Sequence, residues 1–376
     1  MIPSRDPDIH RVFQYTDLDG NSNKFWAISA WWGGGERWML KTEFGRTGVA
    51  KQVHVKHTTE PRINSLIKSK LRKGYREVIR CRDIDQSVLS GKVGDLVQSI
   101  FGEAREHIKT YLSTSVESLS PEQVAEGRRL LTELQYTWSG NLRNRARLIA
   151  LAQDYYKAIP TKLPHRIVAD DVIRSLCSDF REQEERLDQL EAAVALDAIG
   201  ARIVESEDAD QIAKCFYDSV RHDEFRSARV VDVYDVMVLR NKGKFTLNVG
   251  NITPLYHGTR GCNLRHILRS GLVLPKTRAN GWMFGPGIYF ADSASKSMHY
   301  SSGGVKALLV ADVALGAVYV ADDQMPELKS PPTGHDSVMG QGSHTRSMHW
   351  GGKLRHNEYI VYRESQQRLS HLIVWR

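Results

Sequence analysis

Three patterns of apolar spacing follow one another along the chain. In residues 1–85 apolar and aromatic side chains alternate with polar ones. Lys24-Phe25-Trp26-Ala27-Ile28-Ser29 and Arg37-Trp38-Met39-Leu40-Lys41 read as short strands on either side of the turn Gly33-Gly34-Gly35. Phe44-Gly45-Arg46-Thr47-Gly48 reads as a second turn, and 60–73 as a basic helix that Gly74 closes before a strand over 75–79. Between 92 and 197 the spacing changes to three and four: Val93, Leu96, Val97, Ile100 and Phe101, then Leu130, Leu131 and Leu134, then Leu187, Leu190 and Val194. Ser120 before Pro121 marks a helix start. From 200 to 376 strand patterns return over 230–239, 306–313, 317–320, 358–362 and 371–375. The expected architecture is an α+β multidomain chain. It comprises a small antiparallel sheet with one helix (1–85), a helical bundle (92–197) and a mixed, β-rich domain (200–376).

With 376 residues, more than one core is expected. A hydrophobic share of 41%, a charged share of 26% and a mean hydropathy of −0.41 exclude a disordered or collagen-like chain. No apolar run reaches the 18 or so residues of a spanning helix, and MIPSRDPDIH has no apolar signal core, so no membrane association is expected. Cys81, Cys177, Cys215 and Cys262 stand far apart, which points to a reduced, intracellular protein with neither a disulfide framework nor a zinc site. The net charge of +8 is unevenly spread. Residues 41–82 hold twelve Lys or Arg against three Glu, whereas 117–218 hold thirteen against nineteen acids. A compact basic module followed by an acidic one points to a polyanion partner for the first, with a merely solvated basic face as the alternative.

The densest cluster of chemical side chains lies in the third region. It runs through Leu255-Tyr256-His257-Gly258-Thr259, Gly285-Pro286-Gly287-Ile288-Tyr289-Phe290-Ala291-Asp292, Ser295-Lys296-Ser297-Met298-His299-Tyr300 and Asn357-Glu358-Tyr359-Ile360-Val361-Tyr362. Singly, each piece is ambiguous, since a lone His or a buried Tyr is more often structural. Together and in this order they resemble the poly(ADP-ribose) polymerases, whose transferase domain carries a His-Tyr-Glu triad in these settings. The resemblance extends over the chain. Asn23-Lys24-Phe25-Trp26, Phe44-Gly45-Arg46 and Lys70-Leu71-Arg72-Lys73-Gly74-Tyr75 resemble the tryptophan-glycine-arginine DNA-binding domain, and 96–101, 119–121 and 155–160 resemble the helical regulatory domain.

The resemblance implies a catalytic triad of His257, Tyr289 and Glu358, with NAD+ as substrate and no metal. Cleaving the bond between nicotinamide and ribose leaves an oxocarbenium-like sugar, so the site must grip the leaving group and set negative charge beside the sugar. On this reading Tyr300 stacks on nicotinamide, with Tyr289 on its other side. The backbone of Gly258 and the Ser297 hydroxyl pair with the carboxamide, and His257 holds the adenosine-side ribose. Glu358 stabilises the sugar cation and polarises the acceptor hydroxyl. Thr259 and Asn263 reach the adenosine end or serve structure alone. Lys296 assists at the acceptor side or is solvated, and His299 is structural. The loop 334–342 is expected to line the acceptor pocket. Phe44, Arg46, Lys70, Arg72 and Lys73 are the expected DNA contacts, with Phe44 in the place of the signature tryptophan.

The resemblance further implies a switch, in which the helices block NAD+ entry until the first module binds DNA strand breaks, nicks or ends carrying a 5′ phosphate. Acceptors would be proteins, including this chain itself, with Glu182, Glu184 and Glu185 as candidate self-modification sites. The loop 275–282 is short for the family, Pro286 replaces a common lysine, and His356 stands where chain-forming members carry tyrosine. Single transfer to protein or DNA termini therefore stands beside chain formation, as does an inactive DNA-binding scaffold. The expected compartment is the nucleus in a eukaryote and the cytoplasm in a prokaryote.

Overall fold

A computed structural model describes residues 7–17, 22–33, 37–46, 51–78, 91–116, 119–140, 144–164, 166–195, 201–220, 225–241, 244–275, 282–321, 323–342 and 354–376. It is a mixed α/β protein whose chain divides into two compact units. Met1–Asp83 joins Ile108–Leu196 in one, and Ile84–His107 joins Asp197–Arg376 in the other.

In the first unit the strands β1 (Ile9–Asp17), β2 (Ser22–Trp32), β3 (Trp38–Arg46), β4 (Gln52–Thr58) and, after α1 (Glu60–Arg72), β5 (Arg76–Val78) form an antiparallel sheet in the order β4-β3-β2-β1-β5. Ile63 and Ile67, one turn apart on α1, enter its core with Phe13, Trp26, Ile28, Ala30 and Leu40. Phe44, Gly45 and Arg46 correct the expected turn. They are the last three residues of β3, opposite Trp26, Phe25 and Lys24, because cross-strand pairing overrides the local turn preference of one glycine. Thr47, Gly48, Gly34 and Gly35 lie outside the described residues.

The helices α2 (Gly91–Tyr111), α3 (Pro121–Ser139), α4 (Arg145–Ala158), α5 (Ala169–Ser178) and α6 (Phe180–Val194) follow. Ser120 closes a capping box with Gln123 ahead of Pro121. Leu130, Leu134, Leu148, Tyr155, Leu187 and Leu190 build the helical core of the first unit. Glu184 does not fit the expected display of modifiable acids, being 8% exposed, while Glu182 and Glu185 pair along α6 with Arg186 and Arg181.

Helix α2 departs from the expected bundle. Ile108 and Tyr111 join the helical core, but Leu96, Val97, Ile100 and Phe101 are buried with Tyr234, Leu264, Ile267 and Leu309 in the core of the second unit. An amphipathic repeat fixes that a helix has a buried face, not which surface buries it.

The second unit continues with β6 (Ala201–Glu205), α7 (Ala209–Ser219), β7 (Val230–Val238), β8 (Ile252–Gly258), α8 (Leu264–Ser270), β9 (Ile288–Phe290), α9 (Ala294–Met298), β10 (Ala307–Ala314), β11 (Val318–Ala321), β12 (Ser337–Gly340), β13 (Glu358–Val361) and β14 (Gln367–Trp375). One sheet runs β6-β7-β14-β10-β8, with the last strand in chain order at its centre, and a second runs β11-β12-β13-β9. A bridge between Tyr256 and Ala291 joins β8 to the segment after β9. Ser337–Gly340, expected within a loop, is a strand paired with both β11 and β13. Among the described residues no helix is long and apolar enough to cross a membrane.

Candidate active site

The site residues come from the ends of β8, β9 and β13 and from α9 with the turn after it. β8 is an edge strand, paired on one side with β10. On its other side the Tyr256 N–H donates to the Ala291 carbonyl (2.8 Å) and its carbonyl accepts from the Ala291 N–H (2.9 Å). Both backbone groups of a residue in an antiparallel strand face the same edge, alternating along the strand. Gly258, two residues further, therefore presents its N–H and C=O to that outer edge, beyond the bridge. It must be glycine there, because a Cβ would lie 1.8 Å from the Ser297 carbonyl oxygen.

His257 is fixed by a 2.9 Å hydrogen bond between Nδ1 and the Tyr289 carbonyl. That oxygen only accepts, so Nδ1 carries the proton in this bond. The Tyr289 hydroxyl donates to the Gly285 carbonyl (2.7 Å) and accepts from the Phe284 N–H (3.0 Å), so β9 holds the preceding turn in place. The Tyr362 hydroxyl donates to the Phe284 carbonyl at 2.5 Å, and burial pushes its pKa well above the usual phenol value.

Glu358 opens β13 opposite Gly340 and is 6% exposed. Its Oε1 lies 2.5 Å from Lys296 Nζ on α9, and its Oε2 carries no hydrogen bond among the described residues. Next to it, Asn357 donates to Asp292 (2.8 Å) and accepts from the Gly342 N–H (2.9 Å), which ties the start of β13 to the strands on either side. Lys296 Nζ also lies 5.6 Å from the centre of the Tyr300 ring, which is 51% exposed. Burial lowers the Lys296 pKa, but Glu358 and Tyr300 outweigh it and the net shift is upward. The solvated alternative for Lys296 is thereby corrected, since its side chain is 21% exposed and ion-paired.

With its folded pKa above the ordinary lysine value of 10.5, the contribution of this charge to stability is present in full below that value. It is lost as pH rises through the folded value. The Tm difference between the wild type and Lys296→Met should be constant from about pH 6 to about pH 9 and shrink above about 10.5. Melting curves across that range check it, and a difference already changing near neutral pH would contradict the pairing.

Asn263 Nδ2 donates to the Thr259 hydroxyl at 3.3 Å, so these two are brought together. His299 packs edge-on against Phe225. His356 is 3% exposed, and residues 276–281 of the short loop lie outside the described residues. Among the described residues no three His, Cys, Asp or Glu side chains form a group that could hold a metal. The ion pair of Lys296 with Glu358 and the Asn357 ties escaped the sequence reading, because their partners stand 62 and 65 residues apart.

In the N-terminal sheet Arg46 ends β3 opposite Lys24, and the Phe44 ring meets His54 edge-on at 5.1 Å. Arg72 and Lys73 are exposed. Lys70 Nζ lies 5.3 Å from the centre of the Trp26 ring and 4.7 Å from that of Tyr75. Burial lowers its pKa, and Lys73 and Lys24 lower it further. Glu43 pairs with Lys41 (3.2 Å) and Lys51 (2.8 Å), which neutralises part of the basic surplus.

The comparisons with known proteins bear on both regions. The family model for the poly(ADP-ribose) polymerase catalytic domain matches residues 206–376, and that for the WGR domain matches 9–81. The human protein mono-ADP-ribosyltransferase PARP4 is 27% identical over 313 residues, covering 77% of this chain and 18% of that protein. Poly(ADP-ribose) polymerase 1 of Arabidopsis thaliana is 28% identical over 308 residues, 67% of this chain and 30% of its own length. Poly(ADP-ribose) polymerase 2-B of Oryza sativa subsp. japonica is 22% identical over 431 residues, covering 95% of this chain and 70% of its own. The chain thus spans less than a third of the first two relatives. The strand ends and the turn described above all fall within the stretch matched by the catalytic-domain model. Residues 206–376 thus belong with the poly(ADP-ribose) polymerase catalytic domains, and residues 9–81, ahead of them, with the WGR domains.

Proposed function

We propose that this chain cleaves NAD+, releases nicotinamide and transfers ADP-ribose to protein acceptors, itself included, forming chains when its N-terminal module binds a DNA break. The observation that carries the transferase reading is the outer edge of β8. There Gly258 turns a backbone donor and an acceptor outward against the backbone of the buried Ser297, whose carbonyl accepts from the N–H of the half-exposed Tyr300. Nicotinamide stacks on Tyr300 and pairs with Gly258 and Ser297. His257 Nε2 receives a ribose hydroxyl, and Thr259 with Asn263 faces the adenosine end. As the bond from the ribose C1′ to the ring nitrogen breaks, its electron pair leaves with neutral nicotinamide, and the growing positive charge on the sugar faces Glu358. An acceptor hydroxyl then attacks C1′ and passes its proton to the Glu358 carboxylate.

DNA binding is assigned to the basic face of 1–85, through Phe44, Arg46, Lys70, Arg72 and Lys73, with 92–197 as the regulatory region. The WGR-domain match over 9–81, ahead of the catalytic-domain match over 206–376, is what supports the first assignment. Single transfer is the second reading, favoured by the relative whose name states mono-ADP-ribosylation and by His356. Labelled product separates the two on a gel, since chains smear upward and one unit does not.

The test is nicotinamide release with and without a nicked duplex carrying a 5′ phosphate. Strong stimulation by DNA is expected, and Arg72→Ala with Lys73→Ala should weaken DNA binding and lower the salt slope by about two. Equal release with and without DNA would leave the transferase and sink the break-sensing role. No release at all would favour the inactive scaffold.

A further inference from the structure

A glutamate in the middle of an amphipathic helix ordinarily faces water. Glu103, on the part of α2 that belongs to the catalytic unit, is half-buried instead, and its Oε2 accepts the Val305 N–H at 2.6 Å. A Cβ on Gly261 would stand 2.4 Å from Oε2, and one on Gly303 1.9 Å from Oε1. The carboxylate thus fills a cradle that only glycines leave open, and Gly303 has the φ of +110° that makes it a glycine position on backbone grounds as well. Among the described residues Glu103 has no cationic partner, so backbone dipoles meet its charge.

The two loops forming the cradle are the two that carry donor-site residues. Gly261 lies between Thr259 and Asn263, and Gly303 follows Tyr300 by three residues. The Gly261 N–H donates to the Ser302 carbonyl at 2.8 Å, which stitches the loops at the point where the carboxylate enters. Val305 leads directly into β10, the neighbour of β8.

We propose that Glu103 is a positioning residue for NAD+. From α2 it locks the loop of Thr259 and Asn263 against the loop of Tyr300, and so sets the span between the two ends of the donor site. The assignment rests on the NAD+ reading above. It concerns binding of the donor rather than the bond-breaking step, so the effect belongs in KM.

The experiment uses the full chain with nicked duplex and follows nicotinamide release against NAD+ concentration. Glu103→Ala should raise KM by about tenfold, the scale of one charge-assisted hydrogen bond, with kcat within about twofold. Glu103→Gln, which keeps an oxygen for the Val305 N–H, should restore most of the wild-type KM. Gly261→Ala should match Glu103→Ala by evicting an intact carboxylate, and the double variant should add little to either. An unchanged KM, or a fall in kcat that tracks the folded fraction measured by circular dichroism, would overturn the assignment. So would a lowered KM, which would make the carboxylate a restraint on the site rather than a part of it. A wild-type chain that releases no nicotinamide would remove the NAD+ reading itself, an outcome distinct from these.

Discussion

Glu358→Gln should lower the DNA-stimulated release of nicotinamide by about 10²–10³-fold, with little change in the volume of the side chain. The carboxylate is buried at the head of β13, where a charge acts at low dielectric and is already oriented before NAD+ arrives. Glutamine keeps the shape and an acceptor oxygen but removes the charge that faces the sugar cation. It also leaves the Lys296 ammonium without its counter-charge, so a modest fall in Tm should accompany the loss of rate. Initial rates at saturating NAD+, with circular dichroism to show a folded variant, provide the measurement. A variant retaining more than about a fifth of the wild-type rate would show that Glu358 is not the electrostatic centre of the reaction.

Gly258→Ala should both destabilise the catalytic unit and weaken its hold on NAD+. The new carbon would fall 1.8 Å from the Ser297 carbonyl oxygen, and since that atom is backbone, no rotamer change relieves the overlap. Either β8 or α9 must shift, and overpacking of this kind costs about 3 kcal/mol, the upper end of its usual range. For a unit of this size that corresponds to a Tm lower by about 6–12 °C. A shift of β8 also moves the outer-edge N–H and C=O assigned to nicotinamide, so the KM for NAD+ should rise by at least about tenfold. Melting and steady-state kinetics read the two effects separately. A variant with wild-type Tm and KM would mean that the strand and helix do not meet at this glycine.

The sequence made parts of this architecture legible because their determinants are local. Ser120, Pro121 and Gln123 lie within four residues, and the cap they form is the one seen. His257, Tyr289 and Glu358 each stand inside a short strand pattern of their own, and the sheets bring those patterns side by side. Other features depend on partners that no local window contains. β4 alternates only weakly, through Val53 and Val55, and both valines are exposed, so no buried face marks the strand. Phe44–Arg46 looks like a turn until β2 is placed opposite. The rings of Trp26 and Tyr75 beside Lys70 are likewise invisible locally, since Trp26 lies 44 residues away. Glu103 reads as a solvated helix position, since its cradle is assembled from glycines more than 150 residues away.

The place of β14 has a consequence for synthesis. The strand at the centre of the five-stranded sheet of the second unit, Gln367–Trp375, is made after the other four strands of that sheet, and both of its neighbours wait for it. Helix α2 waits as well, because the Val305 amide that Glu103 accepts from is made 202 residues later. At ordinary translation speeds of about 5–20 residues per second, that gap lasts about 10–40 s. During it the apolar row of Leu96, Val97, Ile100 and Phe101 has been made without the partners that will cover it. The N-terminal sheet is complete in the chain once β5 is made, whereas the core of the second unit closes only after β14 follows, so nascent chains can acquire the first well before the second.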